Sequence, residues 1–366
     1  MKATLFVTQD CNLACDYCYI SKRAVSMDLS TARRVLDFIQ ARAAEAENVD
    51  IGFFGGEPLL ALPLVLEIAR MARSHPVARD RKLDFQLITN GTLLDSACIE
   101  ALGRQGIGIG ISCDGPSFFQ DAHRRYRDGS SSAVDVDKAI RLAVQILPQT
   151  MVNAVYRPDS IAGLEKVVSY FYGLGVRAIF LNPDFRADWS EADVAVMRKS
   201  YAAVAELFRA YHLAGDPARV SLIDAKIALL LNGGYSPHER CSMGRRELAF
   251  GPEGAIYPCE RLAGDCLTSE HRIGSLEEGI VRLQTCVPPV HADTAGGSSP
   301  GATPCQECSI GDYCMHWCGC SNFFSTGSYN RPGAFLCASE KEALRQASRV
   351  LACLSEEIGP EFMSRL

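Results

Sequence analysis

The sequence lacks a long apolar run, an export signal and a basic stretch, and each absence excludes a class of protein. No run of about 18 apolar residues is present, which argues against a membrane-spanning helix. Residues 1–7 have the pattern of a β-strand rather than that of a signal peptide. The net charge is −6 and no long basic run occurs, which argues against nucleic acid as a main partner. We therefore predict a cytoplasmic protein that binds neither membrane nor nucleic acid.

Cysteine, by contrast, is abundant and unevenly placed. The 366 residues include 16 cysteines, a high count for a chain without an export signal. In a reducing compartment such cysteines are metal ligands or free thiols rather than disulfides. Three lie at the start of the chain, two in the middle and eleven after residue 240. This distribution predicts a second, metal-rich region at the C-terminal end.

Strand and helix patterns alternate along the first part of the chain. The predicted strands cover residues 2–9, 49–54, 83–89, 107–113, 151–156 and 176–181, and the last predicted helix covers 191–213. Six consecutive strand–helix units imply a parallel sheet with right-handed crossovers. Because a closed barrel needs eight such units, we predict an α/β fold with an open, partial (β/α)6 TIM-like barrel. Residues 114–132 are expected to form a long charged loop, and residues 341–357 a closing amphipathic helix.

The first cysteines form a triplet (Cys11, Cys15 and Cys18) directly after the first predicted strand. Three thiols in eight residues can converge on one metal centre if the backbone forms a loop, because a strand would point them apart. Thiolates suit iron–sulfur clusters or zinc. Three ligands leave one iron of a [4Fe–4S] cube free to bind a small molecule. On spacing alone, a zinc site with a distant fourth ligand and three buried free thiols stay open as alternatives.

The spacing Cys-x3-Cys-x2-Cys, with Tyr17 before the last cysteine, resembles the signature of radical S-adenosylmethionine (SAM) enzymes. The resemblance implies that the triplet binds a [4Fe–4S] cluster whose open iron chelates SAM, and that Tyr17 lies near the adenine. In that family, reduction of the cluster cleaves SAM to methionine and a 5′-deoxyadenosyl radical.

Residues 55–58, Gly-Gly-Glu-Pro, follow the second predicted strand. Paired glycines let the backbone approach a ligand closely, and the Glu57 carboxylate can accept hydrogen bonds from an ammonium group. Alone, the stretch is more typical of an ordinary turn. Beside the triplet it resembles the family's GGEP motif, which implies that Gly55, Gly56 and Glu57 line the methionine part of SAM.

Four further positions are candidate SAM contacts. Asn90 ends the third predicted strand and Ser112 ends the fourth, and turn chemistry is the alternative explanation for both. The resemblance implies that Ser112 meets the ribose, that Arg124 reaches the carboxylate and that Leu181 contacts the adenine. Residues 120–121 are Gln-Asp where relatives often have His-Asp, so the alignment of Arg124 departs from the family pattern.

The C-terminal cysteines form a second pattern. Twelve residues separate Cys241 from Gly254 and four separate Gly254 from Cys259; Cys305-x2-Cys308-x5-Cys314-x3-Cys318 follows, and after eighteen residues Cys337. The four closely spaced thiols predict a metal site of some kind, with zinc ribbons or surface thiols as alternatives. The whole pattern resembles the SPASM extension of radical SAM enzymes, and all seven of its cysteine positions are matched.

The SPASM resemblance implies two auxiliary [4Fe–4S] clusters. Cluster I would take Cys241, Cys259 and Cys318. Cluster II would take Cys305, Cys308, Cys314 and Cys337. The fourth ligand of cluster I could be Cys320, Cys266, Cys286 or a substrate thiolate, or the position could be open. The expected domains are a barrel at 1–215, a bridging helical segment at 216–240, a SPASM domain with small β-hairpins and helices at 241–340, and a C-terminal helix at 341–366.

SPASM enzymes as a group mostly modify ribosomally made peptides or proteins. The resemblance implies an oxidoreductase-type peptide maturase that abstracts hydrogen from a side chain or Cα and forms a thioether or C–C cross-link, with the auxiliary clusters accepting electrons. One alternative is the oxidation of Cys or Ser to formylglycine, as in anaerobic sulfatase maturases. Those relatives place an Asp, the presumed base, where this chain has Glu260. The alternative explanation for Glu260 is a surface salt bridge. The alternative of another class is a non-catalytic iron–sulfur or zinc scaffold.

The same resemblance predicts the partners. A flavodoxin- or ferredoxin-type protein would supply electrons, and a peptide or protein would be the substrate. The chain begins directly at the first strand, whereas many peptide maturases have a preceding peptide-recognition domain. We therefore expect a leader peptide, if there is one, to bind at the barrel mouth or to a separate protein.

Overall fold

A computed structural model describes residues 1–43, 48–79, 81–264, 270–283, 305–359 and 362. The chain divides into two units by its internal contacts. Unit 1 comprises Met1–Ser112, Gln120–Thr150 and Ser242–Pro288, and unit 2 comprises Cys113–Phe119, Met151–Cys241 and Pro289–Leu366. The domain boundaries predicted from the sequence stay a prediction.

The strands and helices of the described residues are as follows, in chain order. The strands are β1 (Lys2–Thr8), β2 (Val49–Gly55), β3 (Leu83–Thr89), β4 (Ile107–Ser112), β5 (Met151–Tyr156), β6 (Ala178–Pro183), β7 (Arg219–Val220), β8 (Glu247–Phe250), β9 (Ala255–Tyr257), β10 (Gly274–Ser275) and β11 (Gly279–Ile280). The α-helices are α1 (Leu29–Arg42), α2 (Leu62–Ser74), α3 (Ser96–Arg104), α4 (Ser117–His123), α5 (Ala133–Ile146), α6 (Leu164–Gly173), α7 (Glu191–Leu213), α8 (Ser221–Asn232), α9 (Gly319–Thr326) and α10 (Ala334–Glu357).

The first six strands alternate with helices, as predicted. In unit 1, β1 to β4 pair in chain order and in parallel; in unit 2, β5 and β6 also pair in parallel. Leu5 of β1 is the register partner of Phe53 of β2, and neither side chain has exposed surface. β2, β3 and β5 alternate buried with less buried positions, whereas β1 is buried at every position after Lys2. The buried apolar side chains hold the sheet against the helices that follow the strands. The α/β class with a parallel sheet is confirmed.

The C-terminal part of unit 1 adds strands to the same sheet. β8 pairs in parallel with β1, and β8 to β11 then pair antiparallel in succession. These are the small hairpins expected after residue 241. Their attachment to β1 has no signal in the sequence, because residues 2–5 and 247–250 pair across more than two hundred intervening residues.

Two local predictions differ from the structure. The predicted loop 114–132 contains α4, which is too short to show a helical period over the 11–18 residues that such a pattern needs. The closing helix α10 begins at Ala334 rather than at Lys341, and its first turns bury the polar side chains of Ser339 and Glu340, which interrupt the apolar stripe. In unit 2, α10 packs against α7 and α8.

Some predictions lie outside the described residues. These are the Pro- and Gly-rich connector at 287–304 and two of the candidate ligands, Cys266 and Cys286. No helix in the described part of the chain is both long and apolar enough to span a membrane.

Candidate cofactor and metal sites

The loop that carries the cysteine triplet follows β1 and is hydrogen-bonded to the end of α4 and the segment after it. The amide of Ala14 donates to the carbonyl of Arg125 at 2.8 Å, and that of Asp16 donates to the carbonyl of His123 at 3.2 Å. A backbone held in this way by a neighbouring segment is a loop rather than a continuation of β1. The structure thus provides the loop conformation that three converging thiols require.

Cys11 is the buried member of the triplet, with 6% of its surface exposed. Its sulfur accepts a hydrogen bond from the Leu13 amide at 3.4 Å and lies 3.8 Å from Nδ2 of Asn90. Burial raises the pKa of the Cys11 thiol to about 11, and the nearby Glu57 and Cys15 add to the shift. A thiol with this pKa keeps its proton at neutral pH until a metal ion displaces it. The site offers only thiols as ligands, and two N–H donors face the Cys11 sulfur. Both features fit an iron–sulfur cluster.

The two glycines of the Gly-Gly-Glu-Pro turn are required by contacts within the protein. A Cβ on Gly55 would lie 2.1 Å from the carbonyl oxygen of Thr8, and one on Gly56 would lie 2.1 Å from that of Asp10. Gly55 also has a φ of +150°, which side chains disfavour. The amides of Gly56 and Glu57 donate to these same two carbonyls. The glycines therefore hold the turn directly against the backbone that leads into the cysteine triplet.

Glu57 is fully buried and binds three donors of the protein. Its carboxylate accepts hydrogen bonds from the Thr89 hydroxyl at 2.7 Å, the Asn90 amide at 2.7 Å and the Leu59 amide at 3.0 Å. Burial raises the pKa of this carboxyl above its ordinary value, and the three hydrogen bonds offset part of the shift. The Glu57 side chain thus fixes the end of β3 beside the turn that follows β2.

Asn90 connects Glu57 to the triplet. Its side-chain amide donates to Oδ1 of Asn12 at 2.9 Å as well as facing the Cys11 sulfur, and its Oδ1 accepts from the Thr92 amide at 3.0 Å. The predicted site residues after β1, β2 and β3 therefore form one hydrogen-bonded network. This meeting is expected where the carboxyl ends of parallel strands share one edge of a sheet.

Tyr17 and Arg124 are in direct contact. The guanidinium of Arg124 donates from Nη1 to the Tyr17 hydroxyl at 2.7 Å, and Arg124 is 8% exposed. The departure from the family pattern at residue 120 has a structural role: Gln120 is buried and donates to the Ser132 hydroxyl, which in turn donates to the Arg124 carbonyl. Two residues predicted to contact SAM from separate stretches are thus brought together.

The two remaining predicted SAM contacts are placed as follows. Ser112 is the last residue of β4 in unit 1, and it is partly buried. Leu181 is buried in β6 of unit 2, and its amide donates to the Ser221 hydroxyl at 3.0 Å. The ligand roles of all predicted site residues stay predictions.

Charged residues around the triplet escaped the sequence analysis. Asp10 forms an ion pair with Arg127 at 2.5 Å, and its carboxylate also accepts the Cys11 amide at 2.9 Å. Lys22 donates to the Leu13 carbonyl at 2.7 Å. The charged stretch 121–128 is a signal that could have indicated Arg127, whereas Asp10 and Lys22 are single charges without a pattern.

The proposed ligands of cluster II lie in unit 2. Cys305 begins a short 3₁₀ helix and Cys308 follows it. Cys314 caps the end of another, and Cys337 lies in the first turn of α10. Burial raises the pKa of the Cys305 thiol, and the charges of Cys337 and Cys308 raise it further. The pKa of Cys314 is also raised, by burial first, then by Glu340, with a contribution from Cys337. Cys337 therefore interacts with both Cys305 and Cys314, and Cys308 interacts with Cys305.

The proposed ligands of cluster I are distributed over both units. Cys259 belongs to unit 1, and Cys241 and Cys318 belong to unit 2. The sulfur of Cys318 lies 3.6 Å from that of Cys320 and 3.2 Å from the Ser321 hydroxyl. In the described part of the chain, no three Cys, His, Asp or Glu side chains surround a single metal-ion position. That finding concerns a single ion, whereas in a [4Fe–4S] cube each cysteine binds its own iron.

Glu260 lies beside β1. Its carboxylate accepts a hydrogen bond from the Thr4 hydroxyl at 2.7 Å and lies 3.3 Å from Nζ of Lys2. Burial raises the pKa of the Glu260 carboxyl, but Lys2, the Thr4 hydroxyl and Arg261 outweigh it, and the net pKa is below the ordinary value. The carboxylate is thus ionised at neutral pH, and 27% of the Glu260 side chain is exposed.

The sequence is similar to those of known proteins. The family model described as the Radical SAM superfamily matches residues 5–170. A serine-type anaerobic sulfatase-maturating enzyme of Klebsiella aerogenes is 26% identical over 328 residues, which cover 84% of this chain and 76% of that protein.

Solved structures share the fold. The structure of native anSMEcpe with bound AdoMet and Cp18Cys peptide has a TM-score of 0.76 and 18% identity, covering 98% of this chain and 100% of that one. Streptococcus suis SuiB bound to the precursor peptide SuiA has a TM-score of 0.60 and 13% identity, covering 92% and 75%. The predicted core and its cysteine-rich extension are confirmed at the level of the fold.

Proposed function

Because this chain carries a radical SAM domain, we propose that it is a radical SAM maturase that modifies a peptide or protein. The observation that carries the proposal is the network that joins Cys11, Asn90 and Glu57 at the ends of three parallel strands. It occurs in a chain related over most of its length to a sulfatase-maturating enzyme. The family's cofactors, a [4Fe–4S] cluster and SAM, would supply a 5′-deoxyadenosyl radical able to abstract hydrogen from a C–H bond.

In this proposal the triplet holds the SAM cluster, and the surrounding residues position it. Asn90 directs its amide at the Cys11 sulfur, and Glu57 fixes Asn90 through the backbone. Arg124 and Tyr17 present a cation and an aromatic ring beside the triplet, which suits the carboxylate and the adenine of SAM. Ser112 and Leu181 are proposed as ribose and adenine contacts.

The auxiliary clusters are proposed to take the SPASM cysteines, with Cys320 as the fourth ligand of cluster I. The support is the contact between the Cys318 and Cys320 sulfurs. We expect Cys320→Ala to perturb the Mössbauer spectrum of one cluster and to lose up to about four of about twelve irons per chain. The matched control is Cys353→Ala, a thiol of α10 outside the pattern, which should keep every iron. Full iron and an unchanged spectrum in Cys320→Ala would assign the ligand elsewhere.

The substrate is proposed to be a peptide or protein segment. The support comes from two structures that share the fold, since anSMEcpe was solved with the Cp18Cys peptide and SuiB with the precursor peptide SuiA. Two products compete: an oxidative thioether or C–C cross-link, and formylglycine made from Cys or Ser. The second is supported by the match to a sulfatase-maturating enzyme. The reductant would be a flavodoxin- or ferredoxin-type protein, and a separate protein could present a leader peptide.

Mass spectrometry of modified peptides distinguishes the products. The reconstituted protein, SAM and dithionite would be incubated with Cys-containing peptides encoded beside the gene and with a sulfatase-motif peptide. A cross-link retains the cysteine sulfur, whereas conversion of Cys to formylglycine loses it. Deoxyadenosine formation without any peptide modification across both sets would contradict the maturase proposal, and no SAM cleavage at all would favour the scaffold.

Glu260 is proposed as the general base, and this role can be separated from its ion pair. We expect Glu260→Gln to slow product formation by about 10²–10⁴-fold, a common loss for a removed base, while deoxyadenosine still forms. Lys2→Met is the control, because it removes the ion-pair partner and leaves the carboxylate. Peptide product and deoxyadenosine would be quantified together. Equal losses in both variants would indicate that the pair is structural.

A further inference from the structure

A buried ion pair joins two helices of unit 2. Nζ of Lys226, in α8, lies 2.6 Å from Oε2 of Glu340, in α10, and their side chains are 7% and 8% exposed. Such a pair seldom stabilises a fold more than apolar residues of the same size would, because both charges lose their hydration. Stability alone therefore does not account for it.

The same two side chains bind the peptide groups on either side of Cys314. Nζ of Lys226 donates to the Tyr313 carbonyl at 3.1 Å. Oε2 of Glu340 accepts the Met315 amide at 2.7 Å. The carbonyl before Cys314 and the amide after it are thus both held by one buried pair, which leaves the Cys314 backbone little freedom.

The pair also lies among the other thiols of this region. Glu340 follows Cys337 by one helical turn, so the two share a face of α10. Nζ of Lys226 lies 5.6 Å from the centroid of the Tyr235 ring, which covers the ammonium on another side. A full positive and a full negative charge are therefore fixed beside Cys314 and Cys337 and screened little by water.

We propose that Lys226 and Glu340 are positioning residues for auxiliary cluster II, which hold Cys314 in place and set the reduction potential of the cluster by their opposite charges. The inference rests on the assignment of Cys305, Cys308, Cys314 and Cys337 to that cluster. Net charge and nearby hydrogen bonds are main determinants of the potential of iron–sulfur clusters. The ammonium favours the added electron and the carboxylate disfavours it.

The test is a redox titration followed by electron paramagnetic resonance on the anaerobically reconstituted full chain. Cys314→Ala identifies the signal of cluster II. Lys226→Met is expected to lower the potential of that signal and Glu340→Gln to raise it, each by about tenfold in the reduction equilibrium, or 59 mV for one electron. Loss of about four irons in either variant would also support the positioning role.

The control is Arg157→Met, which breaks another partly buried ion pair of unit 2, with Asp184 at 2.7 Å. It should leave the cluster II signal and the iron content unchanged. Shifts in the same direction, or no shift with full iron, in Lys226→Met and Glu340→Gln would overturn the inference. If Cys314→Ala itself changes neither signal nor iron content, the assignment of cluster II has failed instead, and the inference fails with it.

Discussion

Cys15→Ala is expected to abolish SAM cleavage, with deoxyadenosine falling to the level of a reaction without protein. The triplet has three thiols for one cluster. The loss of one leaves two thiolates, which supply too few ligands and too little negative charge to hold the cluster. The measurement is chromatography of deoxyadenosine after reaction of the reconstituted protein with SAM and dithionite. Iron and sulfide content would be determined on the same sample, with about twelve irons expected before the substitution.

The matched control for this prediction is Cys98→Ala. Cys98 is a partly buried thiol in α3 that belongs to neither cysteine pattern. Its loss should leave iron content and SAM cleavage as they were. Deoxyadenosine formation that survives Cys15→Ala would contradict the ligand role of the triplet. Zinc in place of iron, or iron-loaded protein without any SAM cleavage, would instead favour the non-catalytic scaffold.

Features with local signals were predictable from the sequence. Strand β3 was predicted with its observed bounds because its apolar run is flanked by a charged segment and an Asn-Gly turn. The meeting of Cys11, Glu57 and Asn90 followed from topology, because parallel strands present their carboxyl ends at one edge. Strand order and strand ends were therefore enough to place the site.

Contacts between segments that are remote in sequence were not predictable. The hydrogen bonds that Glu57 accepts from Leu59, Thr89 and Asn90 have no signal in the sequence. Its role toward a ligand stays a prediction. Lys226 and Glu340 are 114 residues apart and carry no motif. The attachment of β8 to β1 is equally distant in sequence. Such contacts depend on packing between remote segments, which periodicity and spacing do not encode.

Glu57→Ala is expected to destabilise unit 1 by about 3–5 kcal/mol. The substitution leaves the Thr89 hydroxyl and the Asn90 and Leu59 amides without their acceptor in a buried site, and each such group costs about 1–3 kcal/mol. Glu57→Gln keeps one carbonyl oxygen and should lose less. Glu67→Ala is the control, because the Glu67 carboxylate is exposed and forms an ion pair with Arg70 on the same helix. A change within about 0.5 kcal/mol in the free energy of unfolding is expected there. Urea unfolding gives the free energies.

The pH dependence provides a second measurement on the same variants. Burial raises the folded pKa of Glu57 above its ordinary value of 4.5. A carboxyl of this kind binds its proton more tightly in the folded protein, so its contribution to stability is full below that value and is lost as the pH rises through the folded pKa. The wild type should therefore lose stability relative to Glu57→Gln over this window, since the amide does not titrate. A difference that is flat with pH would show that the hydrogen bonds to the carboxylate cancel the effect of its burial on the pKa. A difference that grows in favour of the wild type as the pH rises would show that the hydrogen bonds outweigh burial and that the folded pKa is below 4.5.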